Sequence, residues 1–202
     1  MGAVHRYSGR RRFARKRGYG WSNPLSQFKN VKFIYADTGF NLSTGGSLGV
    51  QGWHTFRGNG AYDPDEGVGG VQPYGWDTLL NASNYTFYKV IASKISVTFY
   101  PTEACKNMVL TVVPAIIGTL TYANSDDLRA LPHARQVHWS DVQRPLTITS
   151  YMTTARMFGF PYGGDIDASA GASYSTNPAL QWRWHVFTDT NSIASDVDCY
   201  LS

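Results

Sequence analysis

From residue 85 to 101 the chain reads YTFYKVIASKISVTFYP. Tyr85, Phe87, Ile91, Ile95, Val97 and Phe99 fall on one face, and Thr86, Lys94, Ser96 and Thr98 on the other. A period of two held over that length predicts a β-strand with one packed face and one wet face. Residues 180–189, LQWRWHVFTD, repeat the pattern, with Leu180, Trp182, Trp184 and Val186 inward and Gln181, Arg183 and His185 outward. NVKFIYA (30–36), NMVLTVVPAI (107–116), RPLTITSYM (144–152) and DVDCYLS (196–202) are β-branched and aromatic runs bounded by turn residues, and GVQGWHTFR (49–57) adds a further strand. No segment keeps a 3.6-residue apolar period for more than two turns.

Between these strands lie long connections, at 58–77, 118–141 and 159–179, and the chain's 20 glycines and 9 prolines punctuate them. NSDDLRAL in the second offers an N-cap, acids and then leucines, the pattern of a short helical turn. Loops this long are uncommon in compact domains unless they have a task. The expected fold class is therefore all-β: a single jelly-roll sandwich of about eight antiparallel strands. An immunoglobulin-like sandwich expects a turn every 8–12 residues and a Cys…Trp…Cys framework, and this chain has neither.

Charge divides the chain in two. The 202 residues carry 18 Lys and Arg against 14 Asp and Glu, and nine of the basic residues precede the first acid, Asp37. The remainder holds nine basic against fourteen acidic residues, so a cationic tail precedes a mildly acidic body. Residues 1–28 form a basic, Arg-rich arm, expected to be disordered because its self-repulsion and lack of apolar surface leave nothing to offset the entropy of ordering it. Residues 29–202 form the folded domain, with 43% hydrophobic residues over the whole chain to supply its core. The arm's candidate nucleic-acid-binding residues are Arg6, Arg10, Arg11, Arg12, Arg15, Lys16 and Arg17, with Tyr7, Phe13, Tyr19 and Trp21 either as stacking faces for bases or as anchors to the inner surface of the domain. Arginine grips phosphate with two bonds, and each cation placed near a phosphate releases a condensed counterion. The same cluster reads as a nuclear address. No apolar stretch follows it, so it is not a secretory signal, and no run is long and apolar enough to span a bilayer.

Catalytic and metal chemistry find little footing. Cys105 and Cys199 lack the spacing of a metal knuckle or a redox pair and read as ordinary thiols. His133, His138 and His185 are not spaced as a cupin-type metal site requires, and read as solvated or hydrogen-bonded. YDPDEG (62–67) places three acids in four positions but lacks the further oxygen ligands of a calcium loop. It reads as a turn in which Asp63 and Asp65 accept from nearby backbone N–H groups. There is no G-x-S-x-G, Walker loop or Rossmann fingerprint. No enzyme activity, metal or cofactor is expected, and the sequons at Asn41, Asn81 and Asn84 carry no weight without a secretory route.

FRGNGAYDPDEGVGGVQPYGWDTLL followed by YTFYKVIASKISVTFYP, with the Arg-rich start, resembles the capsid proteins of circoviruses and related small circular single-stranded DNA viruses. The positions that carry the resemblance are Tyr62, Asp63, Pro64 and Asp65, then Gly70, Gln72, Pro73, Tyr74, Gly75, Trp76 and Asp77, then Tyr85, Tyr88, Lys94 and Ile95. The arm departs from the family in having no long unbroken arginine run. The resemblance implies a shell subunit that assembles with itself, as 60 copies of an icosahedral shell, and packages a single-stranded DNA genome through the arm. Nuclear import receptors and a host-cell attachment factor would be further partners, and the virion and the host nucleus its locations. Asp63, Asp65, Tyr74 and Trp76 are the expected subunit-contact loop. Two other readings stay open: the shell of a small single-stranded RNA virus, and a monomeric nucleic-acid-binding protein with a basic tail.

Overall fold

A computed structural model describes residues 28–37, 39–43, 52–101, 108–118, 122–139, 144–161, 167–190 and 196–201. The chain divides into two units, Met1–Lys32 and Phe33–Ser202, and every strand belongs to the second. Ten strands are found among the described residues: β1 (Phe40–Ser43), β2 (Gly52–Arg57), β3 (Phe87–Lys89), β4 (Ala92–Pro101), β5 (Met108–Ala115), β6 (Arg135–Trp139), β7 (Leu146–Thr153), β8 (Gly171–Ser173), β9 (Arg183–Thr190) and β10 (Asp196–Leu201). Among the described residues three short α-helices, α1 (Trp76–Leu79), α2 (Tyr122–Arg129) and α3 (Thr154–Phe158), and a 3-10 turn at Ala168–Ala170 join them.

Eight of the strands form two four-stranded sheets, in the orders β1-β10-β4-β7 and β2-β9-β5-β6, with every pairing antiparallel. Successive strands thus alternate between sheets or return across them, which is the jelly-roll topology. β3 and β8 make a separate two-stranded ribbon. The core lies between the two sheets: Leu42, Ile95, Val97, Phe99, Ile148 and Met152 from one, and Phe56, Leu110, Val112, Trp139, Trp184 and Val186 from the other, with Trp182 beside them. Trp182 and Trp184 meet edge to face at 5.2 Å. Their indole N–H groups are satisfied by Thr154 Oγ1 at 3.3 Å and Ser93 Oγ at 2.9 Å, as burial of a tryptophan requires. Asn59, fully buried, donates to the Leu180 and Ala170 carbonyls and accepts from Trp182 N, tying three segments together.

Four expectations are corrected. The run 85–101 is two strands with different partners: β3 pairs with β8 in the ribbon and β4 with β10 and β7, while Thr154 bonds the carbonyls of Val90 and Ile91 where the two meet. Ile95, Val97 and Phe99 keep their inward face, whereas Phe87 and Ile91 are exposed. Residues 30–36 form no strand. The connection 118–141 holds the expected short helix, α2, but also a strand that was not expected, β6. His185 is not outward to solvent but fully buried, because the outer face of the second sheet is itself covered: Val113, Ala115 and Phe187 pack against Leu128 of α2. Strands covered on both faces lose the alternation that reports a wet side.

Candidate functional site

β2 is the free edge of its sheet, and the chain beyond it covers that edge. After Arg57 it turns through residues 58–63 and comes back, with Arg57 N donating to Pro64 O at 2.7 Å, Glu66 N to Thr55 O at 3.2 Å, and an antiparallel bridge between Phe56 and Asp65. Covering an edge in this way withdraws its backbone from indiscriminate pairing. Gly58 is required at the turn: a Cβ there would lie 2.2 Å from the Trp182 ring.

The return leg is held by charge. Register places Arg57 directly opposite Arg183, a like-charge pair that needs compensation. Glu66 supplies it, accepting from Arg183 Nε at 2.8 and 3.0 Å and lying 3.6 Å from Arg57 Nε. Arg57 Nη1 also donates to the side chain and the carbonyl of Asp63, both at 2.7 Å. Asp65 is fully buried, and its Oδ1 meets His54 Nε2 at 2.8 Å, Gly67 N at 2.7 Å and Val68 N at 3.3 Å. Burial opposes ionisation of Asp65, but the hydrogen bond and charge of His54, then the Gly67 and Val68 N–H groups, outweigh it and hold the carboxyl below its ordinary value. Tyr35 is pushed up to about 12, first by burial and then by Asp65, Asp37 and Asp63. Asp63 Oδ1 accepts from Gly70 N at 2.8 Å, so the turn reading of YDPDEG is met by hydrogen bonds from both acids.

Beyond this pinned base runs a segment without a charged side chain, residues 67–76. Gly69, Gly70 and Gly75 adopt positive φ of 64°, 78° and 79°, which favours glycine there. They carry Val68, Val71 and Tyr74 into solvent, the last 97% exposed. Trp76 turns the other way: it is buried, donates from Nε1 to Tyr174 O at 3.1 Å and stands edge-on to Tyr88 at 4.9 Å. Of the four residues expected in the contact loop, Asp63, Asp65 and Trp76 thus have partners within the domain, and Tyr74 alone stands free. Arg6, Arg10, Arg11, Arg12, Arg15, Lys16 and Arg17 lie outside the described residues.

Alongside β2 a groove of about 450 Å³ opens between Trp53, Thr55 and Arg183 on the strands and Glu66 and Gly67 on the return leg, with Gly118 at one wall. Among the described residues no group of three or more His, Cys, Asp or Glu is placed to hold a metal ion. Sequence reasoning did not single out His54, Arg57, Glu66 or Arg183. The usable signal was YDPDEG itself, since three clustered acids next to a core strand require cations from elsewhere in the fold.

No family model matches the chain, and no curated protein matches it. Among solved structures, it is similar to sacbrood virus of honeybee in expansion state II, at 13% identity over 83% of this chain and 79% of that one, with a TM-score of 0.44. Another structure of sacbrood virus of honeybee matches at 12% identity over 100% and 86% of the two chains (TM-score 0.39), and Desmodium yellow mottle tymovirus at 7% over 88% and 91% (TM-score 0.36). The resemblance to circovirus capsid proteins has no counterpart among these three. The jelly-roll fold rests on this chain's own strand order.

Proposed function

We propose that the chain is the subunit of an icosahedral virus shell that packages single-stranded DNA through its Arg-rich arm. The observation that carries this is the union, in one chain, of an acid-free cationic arm with a two-sheet jelly roll. Seven cations give one arm modest affinity, with a salt slope near −0.7 per contact on single strands. Many arms on one closed shell share the same polyanion, so their effective concentration makes the total strong without any base being read. The contacts between copies run through the loop tip that displays Val68, Val71 and Tyr74, apolar groups that a monomer would leave in water. The DNA genome, the 60-copy shell, nuclear import through the arm, a host-cell attachment factor and residence in virion and nucleus all follow from the circovirus resemblance of residues 56–101. An RNA genome would meet the same arm with the same counterion release.

Electron microscopy of the full chain beside a chain lacking residues 1–20, with the 260/280 nm absorbance ratio of each, tests the proposal. Uniform shells protecting nucleic acid in the first, and empty or irregular shells in the second, are expected. Monomers from both at every salt and concentration would overturn it, and sequencing the protected nucleic acid decides between DNA and RNA.

A further inference from the structure

The packaging arm and the exposed loop tip leave the groove beside β2 without a role. It is a shallow concavity of about 450 Å³ that is open to solvent. Trp53 stands 46% exposed in its wall, whereas Phe187, its cross-strand partner, is buried under α2. An indole face is thus left open in a concavity on a sheet face that is covered beside it.

The polar groups opposite are planar and mutually neutralised. Arg183 Nε donates to both Glu66 oxygens, and its Nη2 reaches Gln181 Oε1 at 3.3 Å. Gly118, which has no side chain, lies against its guanidinium: a Cβ built there would be 3.6 Å from Nη1 and 3.8 Å from Cζ. Each Glu66 oxygen retains a lone pair for a second donor. Thr55 adds a hydroxyl between these groups and Trp53.

A site whose charges cancel selects neither anions nor cations. It suits a molecule with a face of C–H groups for the negative face of an indole ring, and with adjacent hydroxyls that match a planar carboxylate and guanidinium edge. We infer that this groove binds a neutral saccharide, one sugar ring stacked on Trp53 and its hydroxyls bonded to Glu66 and the Arg183 guanidinium. The inference concerns a single chain and does not depend on shell assembly.

The test is binding of the purified full-chain protein to an array of neutral, sialylated and sulfated oligosaccharides. Neutral sugars should bind. Trp53→Ala and Gly118→Leu, the second filling the groove without removing a partner, should each weaken that binding at least tenfold, and Trp53→Phe should restore part of it, with unfolding midpoints confirming that all three variants fold. Absence of neutral-sugar binding, binding confined to sulfated or sialylated sugars, or binding undiminished in both disruptive variants would each overturn the inference. A protein that remains monomeric yet binds neutral sugars through Trp53 would defeat the shell proposal and leave the saccharide site standing.

Discussion

Lowering the pH from 7.5 to 4.5 should weaken the fold through one side chain, His185. It is fully buried on β9, with Nε2 3.1 Å from the Ile117 carbonyl and Nδ1 3.4 Å from Thr55 Oγ1. A carbonyl only accepts, so Nε2 carries the hydrogen and Nδ1 accepts from the threonine hydroxyl: the neutral ring satisfies both partners. Burial, with Arg183 adding to it and the Ile117 bond opposing it, brings the imidazole down to about 4. The unfolded chain then takes up a proton near 6.5 that the folded chain refuses, so stability is fully present above about 6.5 and is lost as pH falls towards 4. At 1.36 kcal/mol per pKa unit, the loss at pH 4.5 is about 2–3 kcal/mol. Denaturant unfolding followed by tryptophan fluorescence, run from pH 7.5 to 4.5 on the full chain and on His185→Gln, isolates the effect. The glutamine amide keeps a donor for Ile117 and does not titrate, while every other group titrates in both proteins. The stability difference between the two should shift in favour of His185→Gln by about 2–3 kcal/mol over that range. A difference that stays constant with pH would refute a neutral, desolvated His185.

Other perturbations probe the covered edge and its loop. Gly58→Ala would drive a methyl into the Trp182 ring, where the nearest carbon is 2.2 Å away, and should cost about 1–3 kcal/mol, measured as a lowered denaturation midpoint. Asp65→Ala removes the acceptor of His54, Gly67 and Val68 together and should destabilise by about 3 kcal/mol by the same assay, leaving three donors to find water. Tyr74→Ala should leave the unfolding midpoint unchanged, since the side chain is 97% exposed, while light scattering shows slower or incomplete assembly; unimpaired assembly would remove this loop from the subunit contacts.

The strands whose faces differ were legible from the sequence alone. Ile95, Val97 and Phe99 on β4, and Trp182, Trp184 and Val186 at β9, sit inward as alternation requires, and the turn at YDPDEG followed from what Asp, Pro and Gly do locally. The arm's charge is likewise a property of composition and needs no fold. Tertiary structure decided the rest, because those outcomes depend on residues far apart in the chain. Whether His185 meets water depends on partners far off in the chain, the Ile117 carbonyl 68 positions away and the Thr55 hydroxyl 130 positions away. The split of 85–101 depends on which strands each half meets, β8 for β3 and β10 and β7 for β4, and no local propensity at Val90 or Ile91 foretells it. The Arg57–Glu66–Arg183 network exists because antiparallel register sets residue 57 against residue 183, and the acid between them answers a repulsion that only the paired strands create.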